Sequence, residues 1–234
     1  MTDRTISVDR IEPEEGASAT DAALSALADG RRRTALAQLL TARGRTSADV
    51  LAIRVAAVEA GVSPIDVDAD RHGDVAIDLH HRHLPKLDDV GLIDLTDGGA
   101  AATDRAARFE LVLEAVEGAA DPDAALSALA DRRRRSVLEH VARVDEPIGL
   151  DALAERIVAQ SDDARDDVAL DLHHHHLPKL DDAGFLAYDA EDRRVDDARE
   201  FPFEGDLGEA VDRIERDAAL SGDGSTDVVT HISL

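Results

Sequence analysis

The chain lacks several residue types, and each absence excludes a class of chemistry. It has 234 residues, with no cysteine, no tryptophan and only five Phe and Tyr residues in total. Without cysteine there is no disulfide framework, no thiolate metal site and no cysteine nucleophile. Five aromatic residues are too few to stack against single-stranded nucleic acid. No long apolar run is present, so we expect neither a signal peptide nor a membrane span, and we predict a cytoplasmic protein.

Positive charge is also scarce, and arginine carries nearly all of it. Of the 26 basic residues only Lys86 and Lys179 are lysines, against 51 acidic residues of which 36 are Asp, and the formal net charge is −25. This balance excludes a simple basic nucleic-acid binder. A surface rich in Asp and poor in Lys suits molar salt, where screening over about 3 Å removes the self-repulsion. We therefore interpret the charge as the surface adaptation of a halophilic protein.

The chain contains the same unit twice. Residues 21–36 match residues 123–138 at 13 of 16 positions, with an offset of 102. The segment DLHHRHLPKLDDVG at 78–91 matches DLHHHHLPKLDDAG at 171–184 at 12 of 14 positions, with an offset of 93. Nine extra residues therefore lie in the first copy, within 61–73, and an insertion there predicts a surface loop.

Each copy predicts four helices followed by a short hairpin. Apolar spacing and capping residues place the helices of the first copy at about 21–28, after Asp29 as N-cap, at about 47–60, and at about 74–90 with Gly91 as the C′ glycine. A strand at 92–96 and a turn at Asp97 and Gly98 follow, and residues 185–195 take this place in the second copy. The predicted fold class is mainly α with short β-hairpins.

Two further amphipathic stripes follow the units. Their apolar residues are Phe109, Val112, Leu113 and Val116 after the first copy, and Leu207, Val211, Ile214 and Ala218 after the second. Such stripes need a partner surface, so helices 105–117 and 206–219 are predicted contacts for a homodimer or a partner regulator. The predicted organisation is a flexible tail (1–20), the first repeat (21–97), a connecting helix (98–120), the second repeat (121–195), and a C-terminal helix and tail (196–234).

Helices and hairpin follow one another in the order of a winged helix-turn-helix. The segment LSALADGRRRTALAQLL at 24–40 resembles the opening of the ArsR-like winged-helix repressors. The segments HLPKLDDVGLI at 83–93 and HLPKLDDAGFL at 176–186 resemble the end of their recognition helix. Both copies are similar, more closely, to a group of halophilic-archaeal winged-helix-like domains of unknown function. The resemblance covers about 21–97 and 123–195, and implies a transcriptional regulator with two tandem winged-helix domains.

In such a regulator the fourth helix enters the major groove of double-stranded DNA. Helical periodicity predicts an apolar inner face that includes Val75, Ala76, Ile77, Leu79, Leu84, Leu87 and Val90, with His83 inside it and His80 at its edge. The candidate DNA-binding residues are His81, Arg82, Lys86, His174, His175 and Lys179, with Arg193 and Arg194 at the tip of the second wing. Asp78 and Asp171 make this face close to neutral, whereas groove-reading helices usually present cations and amides.

Proline interrupts the predicted fourth helix in both copies. Pro85 and Pro178 lie where the helix should continue, at a cost of roughly 3 kcal/mol in a helix interior. We expect either a kink or a new turn that begins at the proline. In both cases residues 74–83 are the part best able to project from the domain.

Histidine and arginine clusters have structural as well as functional interpretations. Seven of the ten histidines lie at 80–83 and 173–176. Burial of His83 and His176 with hydrogen bonds is the favoured interpretation; contact with DNA, or metal binding by pairs three residues apart, are the alternatives. The arginine runs 31–33 and 132–135 begin helices, where the dipole disfavours cations. Acidic partners are therefore expected, with Asp88, Asp89, Asp181 and Asp182 as candidates, and phosphate contact is the alternative.

Sequence motifs for catalysis are absent. There is no glycine-rich phosphate loop, no HExxH and no GxSxG. We therefore predict no enzyme, no catalytic residue, no metal and no cofactor. The predicted function is a DNA-binding transcriptional regulator in which the two units act as a pseudo-dimer. The alternative is a winged-helix module for protein–protein interaction that does not bind DNA.

Overall fold

The computed structural model describes residues 18–42, 44–116, 119–144, 146–159 and 164–198. The predicted helix 206–219 and residues 1–17 of the predicted tail lie outside these ranges. Helices dominate the described part, and its strands form two small antiparallel sheets. This confirms the predicted class, mainly α with short β-hairpins. No helix in the described part is long and apolar enough to cross a membrane.

The first unit contains five helical segments and a hairpin. Its elements are α1 (Ala19–Leu27), α2 (Gly30–Ala42), α3 (Ala48–Ala60), α4 (Ala69–Asp78), α5 (Leu84–Asp89), β1 (Ile93–Thr96) and β2 (Gly99–Ala102). Ser18 caps α1, which therefore begins inside the segment predicted as a tail. The segment 98–120, predicted as a connecting helix, begins instead with β2 and continues as two short helices, α6 (Asp104–Ala107) and α7 (Glu110–Val116).

The second unit repeats this order. Its elements are α8 (Pro122–Leu129), α9 (Arg132–Val141), β3 (Ile148–Gly149), α10 (Leu150–Val158), α11 (Arg165–Asp171), α12 (Leu177–Asp182), β4 (Leu186–Asp189) and β5 (Arg194–Ala198). The insertion of the first unit is only partly a loop. It includes a 3₁₀ turn at Pro64–Asp66 and the start of α4, where the Asp68 carboxylate accepts a hydrogen bond from the Arg71 N–H at 2.8 Å.

A π-helical turn carries the fourth helix past its proline in both units. Residues Leu79–His83 join α4 to α5, and Leu172–His176 join α11 to α12. At the junction the Leu84 N–H donates to the Leu79 carbonyl, five residues back. Pro85 lies in the first turn of α5, where its missing N–H costs little. The predicted kink or new turn thus takes the form of a widened turn within a backbone that stays helical.

The two sheets have equivalent pairings. In the first unit β1 pairs with β2, and Thr46 forms an isolated bridge with Ala100 of β2. In the second unit the strand order is β3-β5-β4, with Ile148 opposite Val195. Thr46 and Ile148 occupy the same position of the repeat. The residues before the third helix therefore pair with the second strand of the hairpin in both units. So short a pairing leaves no alternation of apolar and polar residues in the sequence.

Apolar side chains of both units form one continuous core. It includes the inner faces of the helices of each unit, together with Phe109, which follows the first unit, and Phe185 of the second. Val112 and Val116 of α7 are buried in the same core. The stripe after the first unit is thus covered by the chain itself, and no second chain is needed to bury it.

The two units meet through their first helices. Two salt bridges join them, and in each unit one arginine and one aspartate take part. Helix α1 packs against α8. Arg135 of the second unit bonds Asp21 of the first at 2.6 Å, and Arg33 of the first unit pairs with Asp123 of the second at 2.6 Å. Asp21 and Asp123 are equivalent in the repeat, as are Arg33 and Arg135. This is the pattern of an isologous dimer interface, here within one chain.

Replacing Gly99 by Ala should destabilise the first unit. Gly99 has a φ of +115°, and an added Cβ would lie 2.1 Å from the Thr46 carbonyl oxygen, a backbone atom of the bridging segment. We expect Gly99→Ala to lower the free energy of unfolding by about 2–3 kcal/mol in urea titrations. Gly98→Ala is the matched control, since its Cβ would approach side-chain atoms no closer than 3.6 Å. Equal midpoints for the two variants would contradict this account.

The two exchanged salt bridges should differ in strength because they differ in burial. The Asp21 side chain is 6% exposed and that of Asp123 is 55% exposed. Asp21→Asn removes the carboxylate charge that the buried Arg135 guanidinium contacts, and we expect a loss of about 3 kcal/mol. Asp123→Asn, at the equivalent position, should cost about 0–1 kcal/mol. Thermal unfolding of the two variants compares them directly, and a larger loss for Asp123→Asn would refute the assignment.

Candidate nucleic-acid interface

The fourth helix of each unit has a buried and an exposed face. Val75, Leu79, Leu84 and Leu87 are fully buried, as the periodicity predicts. The prediction is wrong for Ile77, which is 61% exposed. Positions 75 and 79 both point into the core, and position 77 lies about 200° around the helix axis from each of them. The buried face is therefore narrower than the sequence analysis assumed.

The arginine runs at the starts of α2 and α9 bind the ends of the preceding helices. Arg32 donates to the Ala26 carbonyl, and Arg33 donates to the Leu27 carbonyl at 2.8 Å. In the second unit Arg134 donates to the carbonyls of Ala128 and Ser127, and Arg135 donates to that of Leu129 at 2.7 Å. The last carbonyls of a helix have no partner within it, and its C-terminal end attracts cations. These arginines are therefore structural.

One further arginine of each run pairs with the acid on the fourth helix. Arg31 bonds Asp78 at 2.7 Å and Glu59 at 2.6 Å, and Arg133 bonds Asp171 at 2.8 Å. Intramolecular acidic partners were predicted, but Asp88 and Asp89 are not the partners of Arg31, Arg32 or Arg33. The Asp88 carboxylate accepts instead from the Leu95 N–H of the hairpin, at 2.9 Å. In both units, therefore, the acid on the fourth helix forms an ion pair with an arginine of the run.

Two histidines of the π turns are buried, as predicted. The Nδ1 atom of His83 lies 3.5 Å from Asp29, and that of His176 lies 3.7 Å from Asp131. Neither Nδ1 has a hydrogen-bond partner in the described part of the chain. The Nε2 atom of His176 is 2.8 Å from the Asp171 carboxylate. The predicted hydrogen bond is therefore present for His176.

In the first unit the pKa values of buried His83 and half-buried Asp29 are both lowered. Burial lowers the pKa of His83, and the neighbouring Asp29 carboxylate offsets this effect only in part. Burial by itself would raise the pKa of Asp29, but the Arg32 backbone N–H and guanidinium, together with His83, hold it below its usual range. The lowered pKa favours the neutral imidazole of His83, and that of Asp29 favours the ionised carboxylate.

Most of the other polar residues of the π turns are exposed. His81 and Arg82 are exposed in the first unit, as are His174 and His175 in the second. Arg82 lies 3.8 Å from Asp78, and His175 occupies the same place at 3.0 Å from Asp171. His80 is exposed rather than at the core edge. Its equivalent His173 is half-buried, with its Nδ1 atom 2.5 Å from the Tyr188 hydroxyl.

The remaining candidates lie after the proline and on the second hairpin. Lys86 and Lys179 are exposed. Partial burial, followed by the nearby Arg134, lowers the pKa of Lys179. Arg193 occupies the β4–β5 turn with a φ of +49°, and the neighbouring Arg194 donates from Nε to Asp196 at 2.5 Å. Arg193 therefore lies at the hairpin tip, as predicted. Arg194 instead forms a salt bridge with Asp196.

The structure brings His81, Arg82 and Lys86 onto one exposed stretch, and His174, His175 and Lys179 onto the equivalent stretch of the second unit. Sequence reasoning missed Ile77 and its equivalent Leu170, which is 59% exposed. Their angular distance from the buried positions was the signal that could have found them. Among the described residues, no group of three or more His, Asp and Glu side chains is arranged to hold a metal ion.

Comparison with known proteins supports the division into two units. A protein-family model described as a domain of unknown function (DUF7344) matches residues 24–99 and again residues 126–196. The two matches coincide with the two structural units and together cover more than half of the chain. No curated protein and no solved structure matches the chain. The tandem arrangement predicted from the repeat is therefore confirmed.

Acidification should destabilise the first unit through His83. Because its pKa is lower in the folded chain than in the unfolded chain, the unfolded state binds more protons once the pH falls below about 6.5. The stability contributed by neutral His83 is thus complete above that pH and is lost as the pH falls. We expect urea midpoints measured at pH 7.5 and pH 5.5 to differ less for His83→Gln than for the unaltered chain. The exposed His81→Gln should keep the full difference, and an unchanged pH dependence in His83→Gln would exclude this role.

Proposed function

The chain belongs to the DUF7344 family, a family of domains of unknown function, and we propose that it is a DNA-binding transcriptional regulator. In this proposal the two domains are winged-helix units that act as a covalent pseudo-dimer on double-stranded DNA. The chain is a binding protein and not an enzyme, and it requires no cofactor. Each unit presents the exposed face of its fourth helix to the major groove.

The connectivity of each unit supports the winged-helix interpretation. Three helices precede a longer fourth helix, and a hairpin follows it directly. The pairing of Thr46 with Ala100, and of Ile148 with Val195, attaches the segment before the third helix to the second strand of that hairpin. This arrangement holds the hairpin beside the end of the fourth helix. Both elements can then approach the same DNA duplex, as in the winged-helix proteins that the sequence resembles.

The observation that carries the proposal is the exposed fourth helix. It is present once in each unit, and reciprocal salt bridges relate the two units to each other. In both units the outer face from the helix start to the π turn is uncovered by other described parts of the chain. The reciprocal pairs Asp21–Arg135 and Arg33–Asp123 relate the units as the halves of a dimer are related. A helix-turn-helix dimer uses such symmetry to read two half-sites about one helical turn apart.

Local charge also fits DNA better than the net charge suggests. The carboxylates of Asp78 and Asp171 form ion pairs with Arg31 and Arg133, although Arg31 is shared with Glu59. The cations of Arg82, and of Lys86 one turn later, remain on the surface. Molar salt weakens the counterion-release contribution to binding in any case. Base and shape contacts must therefore supply a larger part of the affinity than in a basic regulator.

One observation favours the alternative, a module that binds another protein. Asp70 and Asp74, and in the second unit Asp166 and Asp167, are exposed near the start of the fourth helix. Of these acids Asp166 is paired with Arg165 at 3.1 Å, and exposed carboxylates at this position would repel DNA phosphates but not a protein surface. The predicted contact helix 105–117 offers little to such a partner, since Phe109, Val112 and Val116 are buried within the chain and, among its described residues, Leu111 is the only large hydrophobic one that is exposed. Helix 206–219 lies outside the described residues.

Selection of bound duplexes from a random double-stranded library in molar KCl tests the proposal. The 234-residue chain should enrich a sequence with two related halves. Arg82→Ala combined with His174→Ala should weaken binding to that duplex about 10-fold, the loss expected of a base or phosphate contact at the interface. Arg143→Ala removes an exposed arginine outside the site and should bind as the unaltered chain does. Absence of enrichment, or equal binding by all three proteins, would reject the proposal.

A further inference from the structure

Two aliphatic side chains occupy equivalent exposed positions on the fourth helices. Ile77 is 61% exposed and Leu170 is 59% exposed, although each lies two residues before a fully buried leucine. The exposed large hydrophobic residues of the described chain include no other pair that the repeat relates to each other. Because Val75 and Val168 of the same helices are buried, the exposed aliphatic side chain at the same position of both units indicates a common contact.

The neighbours of each aliphatic residue are also repeated. Asp74 precedes Ile77 by three residues and His81 follows it by four, so the three side chains share one face of the helix. The second unit has Asp167, Leu170 and His174 at the same spacing. All six residues are exposed. Each unit thus presents an acid, an aliphatic group and an imidazole in one row.

The row has the chemistry of a reader of base edges. In the major groove a carboxylate accepts from the exocyclic amine of cytosine, and an apolar side chain contacts the C5-methyl group of thymine. We propose that Ile77 and Leu170 contact thymine methyl groups, one in each half of a two-fold DNA site. This inference rests on the proposed function and specifies which bases that function selects. It also gives Asp74 and Asp167 a role: each carboxylate accepts a hydrogen bond from a neighbouring base.

Uracil-substituted DNA isolates the methyl contact, because deoxyuridine differs from thymidine only by the absence of the C5-methyl group. The probe is the duplex selected from the random library, made once with thymine and once with uracil throughout. We expect the unaltered chain to bind the uracil duplex about 10-fold more weakly in molar KCl, in fluorescence anisotropy titrations. The variant with Ile77→Ala and Leu170→Ala should bind both duplexes equally. Alanine suits an exposed helix position, so this variant should remain folded, as its melting curve will show.

Two controls separate the possible failures. Leu111→Ala removes an exposed aliphatic side chain on α7, away from the proposed interface, and should retain the full preference for thymine. Equal binding of the two duplexes by the unaltered chain, or an unchanged preference in the double variant, would overturn the thymine contact while leaving DNA binding intact. If no duplex is selected at all, DNA binding and the thymine contact are both refuted, and the exposed pair is then assigned to a protein partner.

Discussion

The structure depends on the capping of the first helix of each unit. The last carbonyls of α1 and α8 have no partners within their own helices, and the arginines that open α2 and α9 donate to them. Since these arginines are held in place, Arg31 and Arg133 can reach the acid of the fourth helix. Arg33 and Arg135 extend across to the other unit. In each unit, one run of arginines thereby contacts the end of the first helix, the fourth helix and the other unit.

Residues at the starts of α2 and α9 also contact the fourth helix. The carboxylates of Asp29 and Asp131, at the starts of α2 and α9, lie opposite the buried imidazoles of His83 and His176. The π turn that contains each histidine widens the helix immediately before its proline. Such turns occur frequently at functional sites, because they change which side chains face outward. Here the turn leaves His81 and its neighbours exposed beside the buried histidine.

Much of the fold and part of the site could be predicted from residue pattern. The two copies, the four helices of each unit and the glycine stops are local features. Gly91 and Gly184 have φ values of +70° and +80°, and Leu92 donates to the Leu87 carbonyl across the first of these stops. Burial of His83 and exposure of His81 also followed from helical spacing. The bridge at Thr46 could not be predicted, because one or two paired residues leave no period.

The sequence by itself determined that the chain carries one unit twice, since an internal match at a fixed offset needs no structure to interpret it. It also determined where most of the helices of each unit lie, since periodicity, caps and glycine stops act locally. Only the tertiary structure decided which acids the arginines meet, because those partners lie far apart along the chain. It likewise decided that Ile77 is exposed, since the width of a buried face depends on what packs against it. A net charge of −25 describes the whole surface, whereas the charge that a ligand meets depends on pairs that form only on folding.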